Sequence, residues 1–443
     1  MPDDGYFRWF DSARSGCGWT DRLIGTGGWV LTAVVLTSAA VAEAASLRRA
    51  PPIKFPHETD SNSPAEWIDG QMYLFNSAGH PYRSWGTNLI ELSRTVAVTF
   101  DDQVNGGRWL EATCRNSDGI LYGWYHNEPH GLCPGNTLTA PQIGALRSTD
   151  NGAHWTDLGI ILRARDGTLR CDARNGYFAG GHGDFCVTLD PMRQHLYLFL
   201  STYAGELTEQ GITMAQMDWA DRDAPGGKVW KWWQGAWQAP GLGGNVTPIF
   251  LATVAWERSD CESFWGPSVH WNSGLGKYVM LLNRAKGAGW VQEGIYLSYS
   301  TNLADPLSWS APEKLLRGGA WYPQVIGLES GTGTDKIAGK VARFFMGGKS
   351  DYEIVFQDER TQPEEIALER TGNVAVFSWP AALTNFTLVC SSTPSEGNWL
   401  KVTNSAHVVD GLLRLTNDLS SLTQSLFFRL ERLGSGSPNP DLR

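Results

Sequence analysis

Acidic side chains recur at comparable places in this chain, at or just before the start of short apolar runs. Asp60 stands in Glu58-Thr59-Asp60-Ser61-Asn62-Ser63-Pro64, Glu111 in Arg108-Trp109-Leu110-Glu111-Ala112 and Asp184 in Gly181-His182-Gly183-Asp184-Phe185. Glu128, after Trp124-Tyr125-His126-Asn127, and Glu262, ahead of Ser263-Phe264-Trp265, stand in reserve. Two carboxyl groups across a sugar ring, one kept protonated by its neighbours, are what hydrolysis of a glycosidic bond through an oxocarbenium-like transition state requires. The Trp and Tyr residues beside them suit sugar faces, because each offers flat apolar area with one polar handle. Asp60, Glu111 and Asp184 are therefore the candidate catalytic residues. Asn62, Arg83, His126, Glu128, His182, Trp265, His270, Tyr322 and Gln324 are the candidate substrate contacts, and no residue is assigned to a metal. His126, His182 and His270 suit an acid–base group, a metal ligand or a partner for sugar hydroxyls, and equally a hydrogen-bonded interior histidine. Arg83, in His80-Pro81-Tyr82-Arg83-Ser84-Trp85-Gly86, could hold an anionic sugar, although an exposed loop arginine is the commoner explanation.

Such residues need a scaffold that brings distant segments to one place. From Pro51 onward, short alternating or continuous apolar runs recur between Gly, Asn, Asp and Pro, with no amphipathic stretch of three helical turns among them, so the chain reads as all-β. The composition agrees: 50 Gly and 22 Pro favour tight turns. The runs group into five units of about 50 to 60 residues, the size of a four-stranded propeller blade with generous loops. Residues 51–358 are thus expected to form a five-bladed β-propeller whose first strands converge on a funnel. Arg147-Ser148-Thr149-Asp150-Asn151-Gly152-Ala153-His154-Trp155 matches the Asp-box hairpin that recurs in sialidase-like and other propellers. Ser298-Tyr299-Ser300-Thr301-Asn302-Leu303, closing at Trp309, resembles a blade ending of five-bladed glycosidases. In both, the Asp or Asn side chain bonds turn amides and the Trp packs between blades.

Beyond Phe356, the stretch 359–371 is rich in Glu, Gln, Asp and Arg and reads as a linker. Residues 372–432 read as a small β-sandwich, with strands at Asn373–Trp379, Phe386–Val389, Trp399–Val402 and Gln424–Leu430, and 433–443 as a disordered tail. The pattern Ser378-Trp379-Pro380-Ala381 through Phe427-Phe428-Arg429-Leu430 resembles a module appended to many large secreted bacterial proteins.

The polar, aromatic strand starts from Phe55 to Phe356 look like those of the five-bladed furanosidase superfamily, the arabinanase- and xylosidase-type glycoside hydrolases. That resemblance implies a secreted hydrolase in which Asp60 is the base, Glu111 tunes pKa and Asp184 is the general acid. It also implies a hydrated Ca²⁺ in the central channel and no organic cofactor. The sequence departs from the family where Ser63, not an acid, precedes Pro64, and where the second and third sites exchange Asp and Glu. A carbohydrate-binding propeller without catalysis therefore stays open. So does a sialidase-like exo-glycosidase, although no Arg-Ile-Pro motif precedes the first blade.

Leu23 to Ala42 carries no charge, and Ala42-Glu43-Ala44 fits a small-residue cleavage site, so 1–45 reads as a signal peptide or leader and the mature chain as periplasmic or extracellular. An uncleaved anchor is the alternative. Cleavage leaves no segment for stable membrane insertion. With a net charge of −10 and no basic stripe, nucleic acid is not an expected partner; a carbohydrate substrate and a monomer are. Six cysteines follow the leader, and the expected pairs are Cys114 with Cys133 and Cys171 with Cys186.

Overall fold

The computed structural model describes residues 45–356 other than 93, and 367–432 other than 382–385, 393–398, 410, 419 and 421–425. Residues 1–44 of the expected leader, most of the expected linker and the expected tail lie outside the described residues. These fall into a large unit ending near Glu359 and a smaller one after it. The all-β expectation holds: among the described residues the only helical elements are three single 3₁₀ turns.

The large unit contains five sheets of four to six strands, antiparallel but for two short parallel pairings. Their first strands are Ala65–Ile68, Gly107–Arg115, His182–Leu189, Glu262–Asn272 and Gln324–Gly327. Most successive strands are neighbours within each sheet, but Thr99–Phe100 joins His154–Leu162 and Ile337–Ala338 joins Glu262–Asn272 out of order, and one pairing links the two ends of the unit. Ala45–Lys54 pairs with Lys349–Phe356, from Ala45 opposite Phe356 to Lys54 opposite Lys349, so the start of the unit completes its last sheet.

Strand alternation explains how these sheets hold together. Along His195–Thr202, Leu196, Leu198 and Leu200 join one apolar cluster with the second sheet, while Tyr197 and Phe199 join another with the fourth. Such strands are apolar on both faces and read as continuous hydrophobic runs. Further clusters join the fourth sheet to the fifth, the fifth to the first and the first to the second, so the packing closes on itself. Polar clamps tie the first strands at the centre. Asn62 Nδ2 donates to the carbonyls of Phe185 and Pro267, each at 2.9 Å, and Gln324 exchanges two bonds with the Ser63 backbone at 2.7 and 2.9 Å.

At the outer edges, side chains satisfy the turns. Asp150 Oδ1 accepts the amides of Ala153 at 3.1 Å and His154 at 2.9 Å, and the fully buried Trp155 donates its indole N–H to Gly152 O at 3.0 Å. In the hairpin Val229–Pro240, Trp232 and Trp237 pack edge to face at 5.1 Å.

The expected cysteine pairs are not formed. Cys133 and Cys171, both on loops, make the disulfide, while Cys114 and Cys186 are free thiols. Those two sit within first strands and turn toward the interior, whereas the loops carrying Cys133 and Cys171 lie side by side.

The smaller unit has a four-stranded and a three-stranded sheet. Phe377, Trp379, Leu413 and Leu415 of the first share one core with Leu388 and Phe428 of the second. Ala367–Thr371, expected to be linker, is a strand paired with Val374–Pro380. It is a largely exposed edge strand, so its Glu and Arg face water and its composition mimics a loop. Leu412–Asp418, unassigned from sequence, lies at the centre of the same sheet.

Candidate active site

Three adjacent first strands lose register in their first halves: at Glu111, at Asp184 and at Gly266–Pro267. A bulge inserts an unpaired residue and re-aims its side chain. Asp184 adopts a φ of 41°, which costs a non-glycine residue backbone strain and persists only where its surroundings hold it. Here they do. At the bulge, the Phe185 amide donates to Glu111 Oε2 at 2.7 Å and the Asp184 amide donates to His126 Nδ1 at 3.0 Å. The second and third sheets are thus stitched together through site side chains.

His126, 3% exposed, is the centre of this network. Its Nε2 lies 3.1 Å from Glu128 Oε1 and its Nδ1 lies 3.5 Å from Glu111 Oε1. The Asp184 amide needs a lone pair on Nδ1, which places the proton of the neutral ring on Nε2, donated to Glu128. Burial works against charging this ring, but the bond to Glu128 and the charges of Asp184, Glu128 and Glu111 outweigh it and push its pKa up to about 9. A second proton on Nδ1 would have to displace the Asp184 amide and turn toward Glu111. The amide contact and the imidazolium are therefore alternatives, and the amide holds the proton count of the ring below what the carboxylates alone would set. The ring needs Gly183 beneath it, since a Cβ there would come within 2.5 Å of Cε1.

Asp184 and Glu111 are each 2% exposed. Both oxygens of Asp184 are occupied: Tyr203 donates its hydroxyl to Oδ2, and Tyr322 donates to Oδ1 at 3.0 Å. Burial raises both carboxyls, Glu111 most strongly; His126 pulls both back, and the tyrosine hydroxyls also favour ionised Asp184. Beside them lies an aromatic wall of Phe178, Tyr203, Trp256, Trp265, Trp290 and Tyr322, with Tyr177 exposed at its edge. The indole N–H groups of Trp256, Trp265 and Trp290 are buried in this wall without a hydrogen-bond partner.

Asp60 is the solvent-exposed member of the carboxylate group. Surrounding protein still desolvates the carboxyl, although water reaches it. Desolvation, then the charges of Asp184 and Glu128, raise its pKa from 3.8 to about 6. The charges acting on Asp60, Glu111 and Asp184 come from one another, Glu128, Glu58 and His126.

Other sequence candidates lie elsewhere. Asn62 and Gln324 spend their bonds on the central clamps, although Asn62 Oδ1 is buried and unpartnered. Arg83 donates to the Asp150 and Asn151 carbonyls at 3.0 and 2.8 Å and lies over Trp85, so it braces a turn. His182 is in a layer behind the site, between Thr202 Oγ1 at 3.0 Å and the buried Lys231 Nζ at 3.1 Å. Burial, then Lys231, lowers the His182 pKa well below normal, and burial holds that of Lys231 down at about 7. His270 is sealed against Phe356, five residues along its strand from Trp265, with both ring nitrogens unpartnered. Glu262 is held at the surface by Arg284 and Lys286.

Tyr203, Phe178 and Trp290 were missed. Tyr203 follows the end of the second strand of its sheet, Phe178 forms an isolated bridge with Thr139 and Trp290 closes a 3₁₀ turn, all away from first-strand starts. The signal was present in the density of aromatic residues.

The central cavity, with room for about one water, is lined by Asn62, Glu111, Cys186, Gln324, Asp335 and Lys336 among others. Its charge is already balanced: the Lys336 ammonium lies 2.9 Å from Asp335 and 3.0 Å from Glu66. Ca²⁺ takes six to eight oxygens, and these residues do not fit it. Ligand atoms of Glu111, His126 and Asp184 do lie within 4.8 Å of one another, but the Asp184 amide holds His126 Nδ1 and the tyrosines hold Asp184. That arrangement is a hydrogen-bonded carboxylate cluster.

No protein-family model matches this chain, and no curated protein matches it. Among solved structures, an exo-β-1,3-galactanase from Phanerochaete chrysosporium is similar at 11% identity over 89% of this chain and 97% of its own, with a TM-score of 0.40. An endo-arabinase from Bacteroides thetaiotaomicron is similar at 10% identity over 70% of this chain and 97% of its own, with a TM-score of 0.41. An α-L-arabinofuranosidase from Lactobacillus brevis is similar at 13% identity, 76% and 84% coverage and a TM-score of 0.40.

Proposed function

We propose that this chain is an exported glycoside hydrolase, a five-bladed β-propeller followed by a β-sandwich module, that cleaves a neutral oligo- or polysaccharide by carboxylate acid–base catalysis. The observation that carries the reading is Asp60: a water-reachable carboxyl whose pKa is raised to about 6 by burial and two neighbouring acids. Such a group holds a proton where an ordinary aspartate has lost it, and can pass it to a leaving glycosidic oxygen.

The roles differ from the sequence expectation. Asp184, closed from solvent with both oxygens engaged, is poorly placed to meet a substrate; with Glu111 it forms the buried charge behind Asp60. Asp60 is the acid in this reading. Tyr177, exposed at the edge of the aromatic wall, supplies stacking area for a sugar face, with the buried rings of Phe178 and Trp290 packed behind it. An anionic sugar would find carboxylates around Asp60 and no help from Arg83, which disfavours the sialidase-like alternative.

The test is product release from a panel of neutral and acidic oligosaccharides by the parent and by Asp60→Asn. Products from neutral substrates that vanish in the variant support the reading. Heat of binding without products from the parent makes the protein a carbohydrate-binding propeller instead.

A further inference from the structure

Hydrolysis needs a second group facing the substrate, one that takes a proton from the attacking water. Resting on the hydrolase reading above, we propose that Glu128 is this catalytic base and that His126 is its positioning residue.

Four observations point to Glu128. Its side chain is 28% exposed, whereas Glu111 and Asp184 are closed from solvent. It acts as a charge on both Asp60 and Asp184, which places it in the same carboxylate group. His126 Nε2 holds one of its oxygens at 3.1 Å, which orients the carboxylate and leaves the other oxygen to accept. Its backbone is fixed: Glu128 ends the strand Leu121–Glu128, opposite Gly107, and the preceding Asn127 donates to Asn105 O at 3.0 Å and Gly107 O at 2.8 Å. A base held on a strand end by a second layer of hydrogen bonds is pre-aimed, which is what proton transfer at a defined distance requires.

The balance of the step is simple. Water oxygen forms a bond to the anomeric carbon as one of its protons passes to Glu128. The glycosidic C–O bond breaks with its electron pair on the leaving oxygen, which takes the proton of Asp60. Glu128 then releases its proton to solvent, Asp60 regains one, and the net change is addition of one water. His126 touches no reacting atom. It faces Glu111, Glu128 and the Asp184 amide, with Trp109 and Phe178 against its ring, and so fixes the direction in which Glu128 points.

The test uses the full chain with an aryl glycoside whose leaving group needs no acid, chosen from the sugars the parent cleaves. We expect Glu128→Gln to lower kcat by 10²-fold or more on this substrate and Asp60→Asn to lower it less than tenfold. Azide should rescue Glu128→Ala, yielding the glycosyl azide. His126→Gln should lower kcat by 10- to 100-fold with little change in KM, a split that a merely structural loss would not give. Glu128→Gln and Glu128→Ala that melt with the parent and keep kcat within threefold overturn the inference while leaving the hydrolase reading intact. A parent that cleaves no glycoside overturns that reading itself.

Discussion

Asp60→Asn separates the charge of this residue from its shape, and its effects on stability and activity should have opposite signs. The carboxyl rises from 3.8 to about 6. At about 1.36 kcal/mol per unit, ionising it in the folded protein costs at most about 3 kcal/mol. Asp60 is exposed, so solvent screening reduces the figure to about 1–1.5 kcal/mol. Because the folded pKa lies above the unfolded one, the stabilisation is full below 3.8 and is lost as pH rises through about 6. Asparagine has no charge to lose. The melting temperature of the variant relative to the parent should therefore rise between pH 4 and pH 7.5 by about 1.5–2.5 °C. Over the same interval, hydrolysis of an unactivated oligosaccharide should stay about 10²- to 10⁴-fold below the parent. Calorimetric melts at the two pH values, with product release on the same samples, measure both. A melting difference that is the same at pH 4 and pH 7.5, or that falls, would refute the electrostatic argument.

Lys231 gives the converse pH dependence: its pKa falls from 10.5 to about 7 because it is buried, so the parent is handicapped below pH 7 and recovers toward pH 10. Lys231→Met should show its greatest advantage over the parent near pH 6, declining by on the order of 3–5 kcal/mol by pH 10 in chemical denaturation. Cys133→Ser opens a disulfide spanning 38 residues and should cost about 3–4 kcal/mol, a difference that disappears when the parent is reduced. Gly183→Ala would bring a Cβ to 2.5 Å from His126 Cε1 and 2.9 Å from Pro141. It should push the ring off the Asp184 amide and lower kcat by roughly 10- to 100-fold, read by steady-state kinetics.

The inner strands of the large unit were legible because they are buried on both faces, which writes runs such as Leu196 to Leu200 directly into the chain. Ala367–Thr371 was not, because an exposed edge strand carries loop-like composition. Of the site, Glu111, Asp184 and Tyr322 could be found by looking near strand starts, where first strands converge. The same rule selected Asn62 and Gln324, which are polar for a different reason: closing the centre consumes their hydrogen bonds. Polarity at a strand start does not distinguish a clamp from a ligand contact. Tyr203 lies outside the rule altogether, as its hydroxyl reaches Asp184 from a strand end that only the fold brings near. The roles of Asp60 and Asp184 depend on exposure, which residue type and spacing do not encode.

The pairing of Ala45–Lys54 with Lys349–Phe356 has a consequence for biogenesis. Of the described strands, the first to be made has no partner until about three hundred further residues have been made, so the last sheet of the large unit is incomplete while the chain is still short. Until then an unpaired edge is available to other chains, and folding is slowed by the loop that must close. A chain kept extended until synthesis ends would avoid that hazard. Once docked, the clasp makes both ends of the unit mutually dependent: trimming the first strand would release the last sheet along with it, whereas a nick in a surface turn would leave the circle shut.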